Sequence, residues 1–312
     1  MKEKTFNLFI VVISIFLLGE LLFNKTIIYE SILYSLNLWV NNLIPSLFPF
    51  FIISNILINY NITDYIPKII KEKCTLIFNI SDNMLTIFLL SMISGFPSNA
   101  RITRTMYKNK KITLNEANHI LLFSHFANPV FILSTVATFF LHNEKAGIIV
   151  LISHYVSNFI LGIIFRNSFY LDNSNKHKFV DKSNNFANIF IDSIRSAVDT
   201  IITICGILTF FLMFSSIIVN LFHLNVYNTM IIKSIFEITI GIEALSKLNL
   251  ALLFKTVLTT VILSFGGLCV HVQVISQIVG TNIKYIYYFI GRLYQAIISG
   301  IIAYILCLVF KI

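Results

Sequence analysis

Two short polar breaks interrupt apolar, helix-length stretches of this chain, and they constrain its fold more than any other feature. The first break, residues 94–100, reads Ser-Gly-Phe-Pro-Ser-Asn-Ala and follows the apolar run 85–93; the second, 124–130, reads Ser-His-Phe-Ala-Asn-Pro-Val. In hydrocarbon each freed N–H or C=O group costs several kcal/mol. A helix therefore breaks there only where protein or a water-filled cavity satisfies its backbone. Transporters build solute sites from such broken helices, because freed backbone dipoles can face a ligand.

The composition indicates that these breaks lie in a membrane protein. Of 312 residues, 57% are hydrophobic and only 12% are charged, whereas about a quarter of a soluble domain is charged. The net charge of +9 comes mostly from short basic segments, a distribution that sets membrane topology. Heavy use of Asn, Ile, Lys and Phe is typical of an AT-rich bacterial genome. We therefore expect a multi-pass protein of a bacterial cell membrane, in contact with the lipid bilayer.

Several classes of function find no support in the sequence. Basic residues do not alternate with aromatic residues on a polar face, so no nucleic-acid partner is expected. No P-loop or HExxH motif occurs. The four cysteines are scattered without CxxC spacing, which favours small core residues over a metal site or disulfides. We therefore predict that the protein is not an enzyme and has no catalytic residues, metal or cofactor.

Hydropathy divides the chain into an N-terminal membrane helix over 1–26, two large segments over 27–166 and 189–312, and a polar connecting loop over 167–188. The first apolar run ends without a small-x-small cleavage site, so it predicts a retained helix rather than a signal peptide. The run 85–93 is too short to cross about 30 Å of hydrocarbon, and it predicts a half-helix.

Local patterns predict further elements. Thr113 and Glu116 fit a capping box, which predicts a helix over 114–123. The lysine-containing stretch 61–73 predicts a polar loop on the cytoplasmic side, which the N-terminal lysines share. Long apolar runs predict helices over 146–165, 188–220 and 286–310.

The second large segment resembles the first in the order of its motifs. The apolar run 230–240 ends at Gly241, which predicts a break over 240–244, and a further break over 264–273 contains Gly266 and Gly267. Each match alone is weak, but their preserved order predicts an internal repeat. Paired breaks in two halves are typical of a transporter's site. The basic loops leave open whether the halves are inverted or parallel.

Four strings of the first half resemble those of the bacterial YlbJ family of sporulation integral membrane proteins: residues 43–51, 94–100, 112–117 and 126–132. The string 264–273, Ser-Phe-Gly-Gly-Leu-Cys-Val-His-Val-Gln, resembles that family's second-half motif. The resemblance covers residues 40–310 and implies a nucleoside-recognition (Gate) domain, with a fold like that of concentrative nucleoside transporters. It also implies a link to spore formation and to movement of dipicolinate. Asn99 departs from the pattern, where a glycine is commoner, and this leaves the substrate open.

We expect the four breaks to supply the substrate-binding residues: Gly95, Pro97, Ser98, Asn99, Arg101, Ser124, His125, Asn128, Gly241, Glu243, Gly266, Gly267, His271 and Gln273. The alternative is that the breaks are packing kinks satisfied by neighbouring helices. Arg101 can hold a carboxylate in a bidentate fork, or it can serve positive-inside topology. Glu243 and Glu237 flank Gly241, and either can carry a coupling ion or pair with a basic neighbour.

The sequence thus predicts an all-α polytopic membrane protein with two related halves and broken or re-entrant helices. Its predicted task is to move a small polar, anionic solute, dipicolinate-like or nucleoside-like, by alternating access. H⁺ or Na⁺ is a candidate coupling ion, and the oligomeric state is left open, a homo-oligomer included. The alternative is a non-transporting scaffold or accessory subunit of a sporulation complex.

Overall fold

The computed structural model describes residues 2–169 and 185–312, so most of the predicted connecting loop 167–188 lies outside the described residues. Within the described part the secondary structure is helical, which confirms the all-α prediction. π-helical segments occur at Trp39–Leu43 and Phe131–Phe140. The α-helices are α1 (Lys2–Phe23), α2 (Lys25–Leu38), α3 (Ile44–Asn59), α4 (Ile62–Tyr65), α5 (Lys68–Phe78), α6 (Asp82–Ser94), α7 (Ser98–Lys108), α8 (Leu114–Ile120), α9 (Glu144–Ile164), α10 (Phe186–Leu221), α11 (Val226–Phe236), α12 (Ile238–Ser246), α13 (Leu252–Phe265), α14 (Gly267–Ile278) and α15 (Tyr285–Phe310).

Four stretches of the described chain are long and apolar enough to cross a membrane: α9, α10, α13 together with α14, and α15. Two bent pairs raise the number to six if each is one span: α1 with α2, bent by 99°, and α5 with α6, bent by 93°. The helices predicted over 146–165, 188–220 and 286–310 are confirmed within a few residues. The chain therefore has the multi-pass character that its composition predicted.

Side-chain caps explain where several helices begin. The predicted capping box of Thr113 and Glu116 is present and starts α8. Ser81 and Asn143 accept hydrogen bonds from backbone N–H groups in the first turns of α6 and α9. These caps satisfy N–H groups that have no partner inside a helix. The half-helix predicted over 85–93 is α6, and it ends at Gly95 as expected.

The stretch 61–73 is not the predicted polar loop. It contains the short helix α4 and more than half of α5. In α5 the lysines share the helix with exposed apolar residues such as Leu76, and Lys68 pairs with Glu72 one turn later. This amphipathic pattern suits a helix at a membrane interface. Helix α8 is also shorter than predicted, because residues 121–123 form a turn.

The third break lies at a different residue from the predicted 240–244. Gly241 is inside α12, and the chain bends at Glu237, whose φ of −148° and ψ of 131° are extended. A Cβ on Gly241 would lie 2.4 Å from the Cα of Ser234, so this glycine lets α11 and α12 pack closely. A glycine that serves close packing was thus interpreted as a helix break.

The long helices form two groups around the short ones. Helices α9, α13 and α15 pack on one another, and α10 packs on α2 and α3. Between these groups α14 contacts both α7 and α10, which joins elements of the first and second halves. The outward faces of the long helices carry exposed apolar side chains such as Ile202 and Ile301, as expected for contact with lipid. The internal repeat stays a prediction.

Candidate functional site

The two breaks of the first half touch each other. Gly95 has a φ of +77°, and a Cβ added there would lie 2.8 Å from the Cβ and 2.9 Å from the backbone nitrogen of Asn128. Phe96 and Pro97 follow, joined by a cis peptide bond. Only glycine combines this backbone conformation with so close an approach. The break between α6 and α7 is therefore seated directly on the second break.

Two asparagine side chains form hydrogen bonds with backbone groups that have no helical partner at these breaks. The Asn99 amide nitrogen donates to the carbonyl oxygen of Ser124 at 2.6 Å and also contacts the Ser124 hydroxyl. The side-chain oxygen of Asn128 accepts from the N–H of Val130 at 2.8 Å, which caps the helical segment that follows. Both residues are buried. These contacts give Asn99, Ser124 and Asn128 a structural role within the first half.

In the second half, Glu237 forms the break between α11 and α12. Its Oε2 accepts the N–H of Ile240 at 3.0 Å, and its Oε1 accepts the hydroxyl of Thr239 at 3.1 Å. The side chain is 4% exposed. Residue 237 belongs to none of the candidate membrane spans, and burial raises the pKa of its carboxyl group to about 7 even though these hydrogen bonds favour the ionised form.

The fourth break, between α13 and α14, packs against the third break, between α11 and α12. Gly266 and Gly267 have φ values of +96° and +60°. An added Cβ on Gly267 would lie 3.4 Å from the carbonyl oxygens of Ile235 and Phe236, next to Glu237. At Gly266 the nearest atom to an added Cβ is the hydroxyl oxygen of Tyr288, at 3.5 Å. The two breaks of the second half are therefore in contact, as are those of the first.

A cavity of about 70 Å³ lies where all four breaks converge. Among the described residues, Glu237 is the only charged one in its lining, and the polar lining residues also include three amides and one threonine. The rest of the wall is apolar. The lining residues are Leu38, Asn42, Leu43, Leu47, Phe96, Ala127, Asn128, Phe131, Ile204, Leu208, Glu237, Ile238, Thr239, Val270 and Gln273.

The predicted site residues fall into four groups around this cavity. Asn128 and Gln273 line it. Gly95, Asn99, Ser124, Gly266 and Gly267 hold the breaks in contact, as described above. Pro97 and Ser98 are buried at the first break, where the Ser98 hydroxyl has no hydrogen-bond partner among the described residues. The others, which lie outside the cavity wall, are Arg101, His125, Gly241, Glu243 and His271.

Arg101 is buried between α3 and α10 rather than in the cavity wall. Its guanidinium donates to the carbonyl oxygen of Phe51 at 3.2 Å and to the hydroxyl of Ser196 at 3.1 Å. Its central carbon also lies 4.9 Å from the centre of the Phe51 ring. No carboxylate of the described residues pairs with it. The positive charge is therefore held inside the protein without an acidic partner in that part of the chain.

A second buried arginine, Arg292 of α15, joins the two halves. Its guanidinium donates to the carbonyl oxygen of His125 at 3.0 Å and to the side-chain oxygen of Asn158 at 3.2 Å, and it lies 3.5 Å from the carbonyl oxygen of Ser264. Its partners are carbonyl and amide oxygens rather than a carboxylate. The guanidinium of Arg292 thus interacts with backbone carbonyl oxygens at both the second and the fourth break.

The histidines of the two breaks lie behind the cavity wall. The His125 ring packs on the Tyr288 ring at 4.3 Å, and neither ring nitrogen has a partner among the described residues. His271 contacts the hydroxyl of Tyr285 at 2.6 Å and the carbonyl oxygen of Phe265 at 3.1 Å. Both rings are therefore packed into the core that supports the breaks.

Glu243 lies at the protein surface. One carboxylate oxygen accepts from the Tyr34 hydroxyl at 2.5 Å, and the other pairs with Lys247 at 2.6 Å. Although partial burial raises the pKa of Glu243, these hydrogen bonds and the nearby cations outweigh it and bring the pKa below its ordinary value. Of the two acidic residues flanking Gly241, Glu237 is therefore the one placed at the cavity.

His154 of α9 links the halves and was missed from the sequence. Its Nε2 accepts the N–H of Ala127 at 2.9 Å, so the neutral ring carries its proton on Nδ1, which lies 2.9 Å from the Ser264 hydroxyl. A signal was available, because Ser153, Ser157 and Asn158 place a polar face with His154 on an otherwise apolar span. Among the described residues, no three His, Cys, Asp or Glu side chains lie close enough to hold a metal ion.

One curated protein is similar to nearly the whole chain. Sporulation integral membrane protein YlbJ of Bacillus subtilis (strain 168) is 25% identical over 342 residues, which cover 97% of this chain and 83% of that protein. The chain is YlbJ-like. The resemblance predicted from the motifs is confirmed, and a multi-pass membrane location agrees with both the relative and the candidate spans.

Two other comparisons bear on this YlbJ-like chain. No protein-family profile matches it, and no solved structure matches it. The wider relationship to nucleoside-recognition (Gate) domains therefore stays a prediction.

Proposed function

We propose that this protein is a transporter of the bacterial cell membrane that moves a small polar, anionic solute through the cavity between the four breaks. The convergence of all four breaks on one cavity carries this proposal. Broken helices whose freed ends meet at a cavity are the usual construction of a transporter's solute site. A solidly packed centre would have favoured a scaffold instead.

The lining of the cavity suits a small solute with polar groups. The amide side chains of Asn42, Asn128 and Gln273 and the hydroxyl of Thr239 share the wall with apolar residues. Ligand sites are commonly apolar with a few polar groups that fix orientation. The small volume suits an occluded or partly closed state, which must open for a solute to enter.

The buried charges favour an anion. Three side chains that are ordinarily charged are buried in the described part of the chain: Arg101, Arg292 and Glu237. The two positive charges of the arginines outnumber the single negative charge that Glu237 can carry. The hydrogen-bond partners of both arginines are neutral. In a poorly screened interior this excess creates a positive potential. An anionic solute would offset it.

The similarity to a sporulation integral membrane protein supports a role in spore formation, and the motif resemblance implies dipicolinate as the solute. Dipicolinate is a small aromatic dicarboxylate, which fits a mostly apolar wall inside a positive interior. We therefore take it as the first substrate to test, with a nucleoside as the neutral comparison.

The test is uptake of labelled dipicolinate and of a nucleoside into liposomes that contain the purified protein. Gln273→Leu removes a polar group from the cavity wall at similar volume and should lower dipicolinate uptake by about tenfold or more, because hydrogen bonds to charged groups are the strong ones. Gln277→Leu is the matched control: Gln277 is equally buried on the same helix α14 but does not line the cavity. It should keep most of the uptake.

Other outcomes would change the proposal. Uptake of the nucleoside alone would replace the anion with a neutral solute. Equal losses in both glutamine variants would mean that the cavity wall is not the solute site. No uptake of either solute by the wild type, with no binding in detergent, would favour the scaffold or accessory-subunit alternative.

A further inference from the structure

We propose that Glu237 is a proton-binding site coupled to the solute: the anion enters the cavity together with a proton, which the Glu237 carboxylate accepts. This inference rests on the proposed transport function and adds its coupling ion. It begins from the position of Glu237. In the described part of the chain this is the one charged residue in the wall of the cavity, and α11 and α12 separate at it.

The charge state of Glu237 decides whether an anion can occupy the cavity. An ionised Glu237 would face the solute's carboxylate across a cavity of only about 70 Å³. At such a separation, in a poorly screened interior, two negative charges repel strongly. A protonated Glu237 removes the repulsion and can donate a hydrogen bond to the solute. Anion binding therefore favours proton uptake, and by linkage protonation favours anion binding to the same degree.

The immediate surroundings of Glu237 accommodate both protonation states. The N–H of Ile240 can donate to Oε2 in either state. The Thr239 hydroxyl, 3.1 Å from Oε1, can donate to the carboxylate or accept from the carboxyl group, because a hydroxyl rotates. Protonation therefore requires no rearrangement of the helix start. Burial supports a working range near neutral pH, since it raises the pKa of Glu237 to about 7.

Among the described residues, no other titratable side chain lines the cavity. The groups close enough to feel a charge on Glu237 are the Tyr34 hydroxyl of α2 and the Cys269 thiol of α14. A phenol and a thiol are both largely neutral at neutral pH. Of the cations on α11 and at the end of α12, Lys247 pairs with Glu243, and Lys233 also interacts electrostatically with Glu243. Glu237 is thus the side chain of the cavity wall that can gain or lose a proton near neutral pH.

The geometry favours a proton over a sodium ion. Hard cations in proteins are surrounded by several oxygen ligands. Both oxygens of Glu237 already accept hydrogen bonds, and the wall around it is mostly apolar. A proton needs only one lone pair of the carboxylate. Binding should therefore be independent of sodium.

The test measures dipicolinate binding and proton uptake on the same full-length protein in detergent, between pH 6 and pH 9, in sodium and in potassium buffers. Both carboxyl groups of the probe are ionised throughout this range, since carboxyl groups ordinarily titrate near pH 4. A pH indicator in weak buffer gives the number of protons bound per ligand. In the wild type, Kd should rise by up to tenfold per pH unit above the Glu237 pKa, and about one proton should be taken up per dipicolinate at the upper end.

Glu237→Gln mimics the protonated carboxyl group and keeps an oxygen that can accept the Ile240 N–H. It should bind dipicolinate at pH 8.5 with an affinity near that of the wild type at pH 6, show little pH dependence and take up no proton. Glu243→Gln is the matched control, because it removes a carboxylate from the same helix at the surface. It should behave as the wild type.

The outcomes separate this inference from the proposed function. Dipicolinate binding without proton uptake, or with equal pH dependence in Glu237→Gln, overturns the coupling and leaves the transporter. A strict requirement for sodium also overturns it. Absence of binding to the wild type at every pH overturns both. If Glu237→Gln does not fold, the wild type alone is measured. Uptake of about one proton per dipicolinate supports the inference, and uptake of none overturns it.

Discussion

At the scale of single residues, the buried carboxyl group of Glu237 makes the stability of the ligand-free protein depend on pH. Its pKa is 4.5 in the ordinary exposed state and about 7 in the folded protein. The folded state therefore holds the proton more tightly than the unfolded state. The contribution of Glu237 to stability should be largest below about pH 4.5, fall by about 3 kcal/mol between pH 4.5 and pH 7, and then level off.

Glu237→Gln should remove this decline, because glutamine does not titrate. Thermal unfolding followed by circular dichroism between pH 4.5 and pH 8 measures it. Glu243→Gln should keep the decline, since the pKa of Glu243 is lowered rather than raised. Parallel curves for the wild type and Glu237→Gln would show that Glu237 does not retain its proton on folding.

Asn99 allows a second prediction at the residue scale. Its amide donates to the buried carbonyl oxygen of Ser124 at 2.6 Å. Asn99→Leu has similar volume but leaves that carbonyl without its donor, which should destabilise the protein by about 1–3 kcal/mol. Asn188→Leu changes an exposed asparagine of α10 and should have little effect. Thermal unfolding of both variants gives the comparison, and equal stability would mean that Asn99 does not support the breaks.

The sequence predicted which polar residues lie near the breaks better than it predicted what each side chain contacts. Asn128 and Gln273 were predicted at the site, and both line the cavity. Arg101 was also predicted there, but its guanidinium contacts Phe51 and Ser196, which lie far from it in the chain. Sequence patterns indicate which polar residues lie in apolar surroundings. They do not give the direction of a side chain, which depends on the helices packed against it.

At the scale of elements, close contacts at glycine hold the long helices against the breaks. Gly291 of α15 faces the turn 121–123 that precedes the second break, where an added Cβ would lie 2.0 Å from the carbonyl oxygen of Leu122. Gly291→Ala must push α15 away from this backbone, and we expect a loss of about 1–3 kcal/mol in stability. Gly206→Ala in α10 is the control, because an added Cβ there meets nothing within 4 Å.

These two variants are best compared by the reaction of buried cysteines with a thiol dye during heating. Cys269 and Cys307 are buried and free, so they react when the fold opens. Gly291→Ala should react at a lower temperature than the wild type, and Gly206→Ala at the same or a slightly higher temperature, since alanine favours a helix. Equal behaviour of both variants would argue against the close crossing of α15 at Leu122.

The sequence predicted elements well where the signal is local. The span α9 and the capping box of Thr113 and Glu116 depend on nearby residues and were found. The bend at Glu237 was misplaced, because its extended backbone depends on α11 and α12 folding back on each other, a contact that Gly241 permits. A glycine gives the same local signal for close packing as for a break.

At the scale of the whole molecule, the basic residues are unevenly divided between its two ends. One end is defined by contacts of Lys111 with Ile58, of Arg166 with Leu76, and of the Lys284 N–H with Asn118. Its basic residues in the described part of the chain are Lys68, Lys71, Lys73, Lys108, Lys110, Lys111, Arg166 and Lys284. The other end holds the start of α9 and the end of α15. Its basic residues among those described are fewer: Lys145, Lys233, Lys247, Lys255 and Lys311.

This asymmetry predicts the orientation of the protein in the membrane. Loops rich in lysine and arginine stay in the cytoplasm, so the end with Lys108 should be cytoplasmic and the end with Lys145 external. Both side chains are exposed at helix ends, which makes them suitable for labelling. In a variant without the four native cysteines, Lys145→Cys should react with an impermeant maleimide on intact cells. Lys108→Cys should react only in inverted vesicles, and the opposite pattern would reverse the orientation and therefore the side from which the cavity loads.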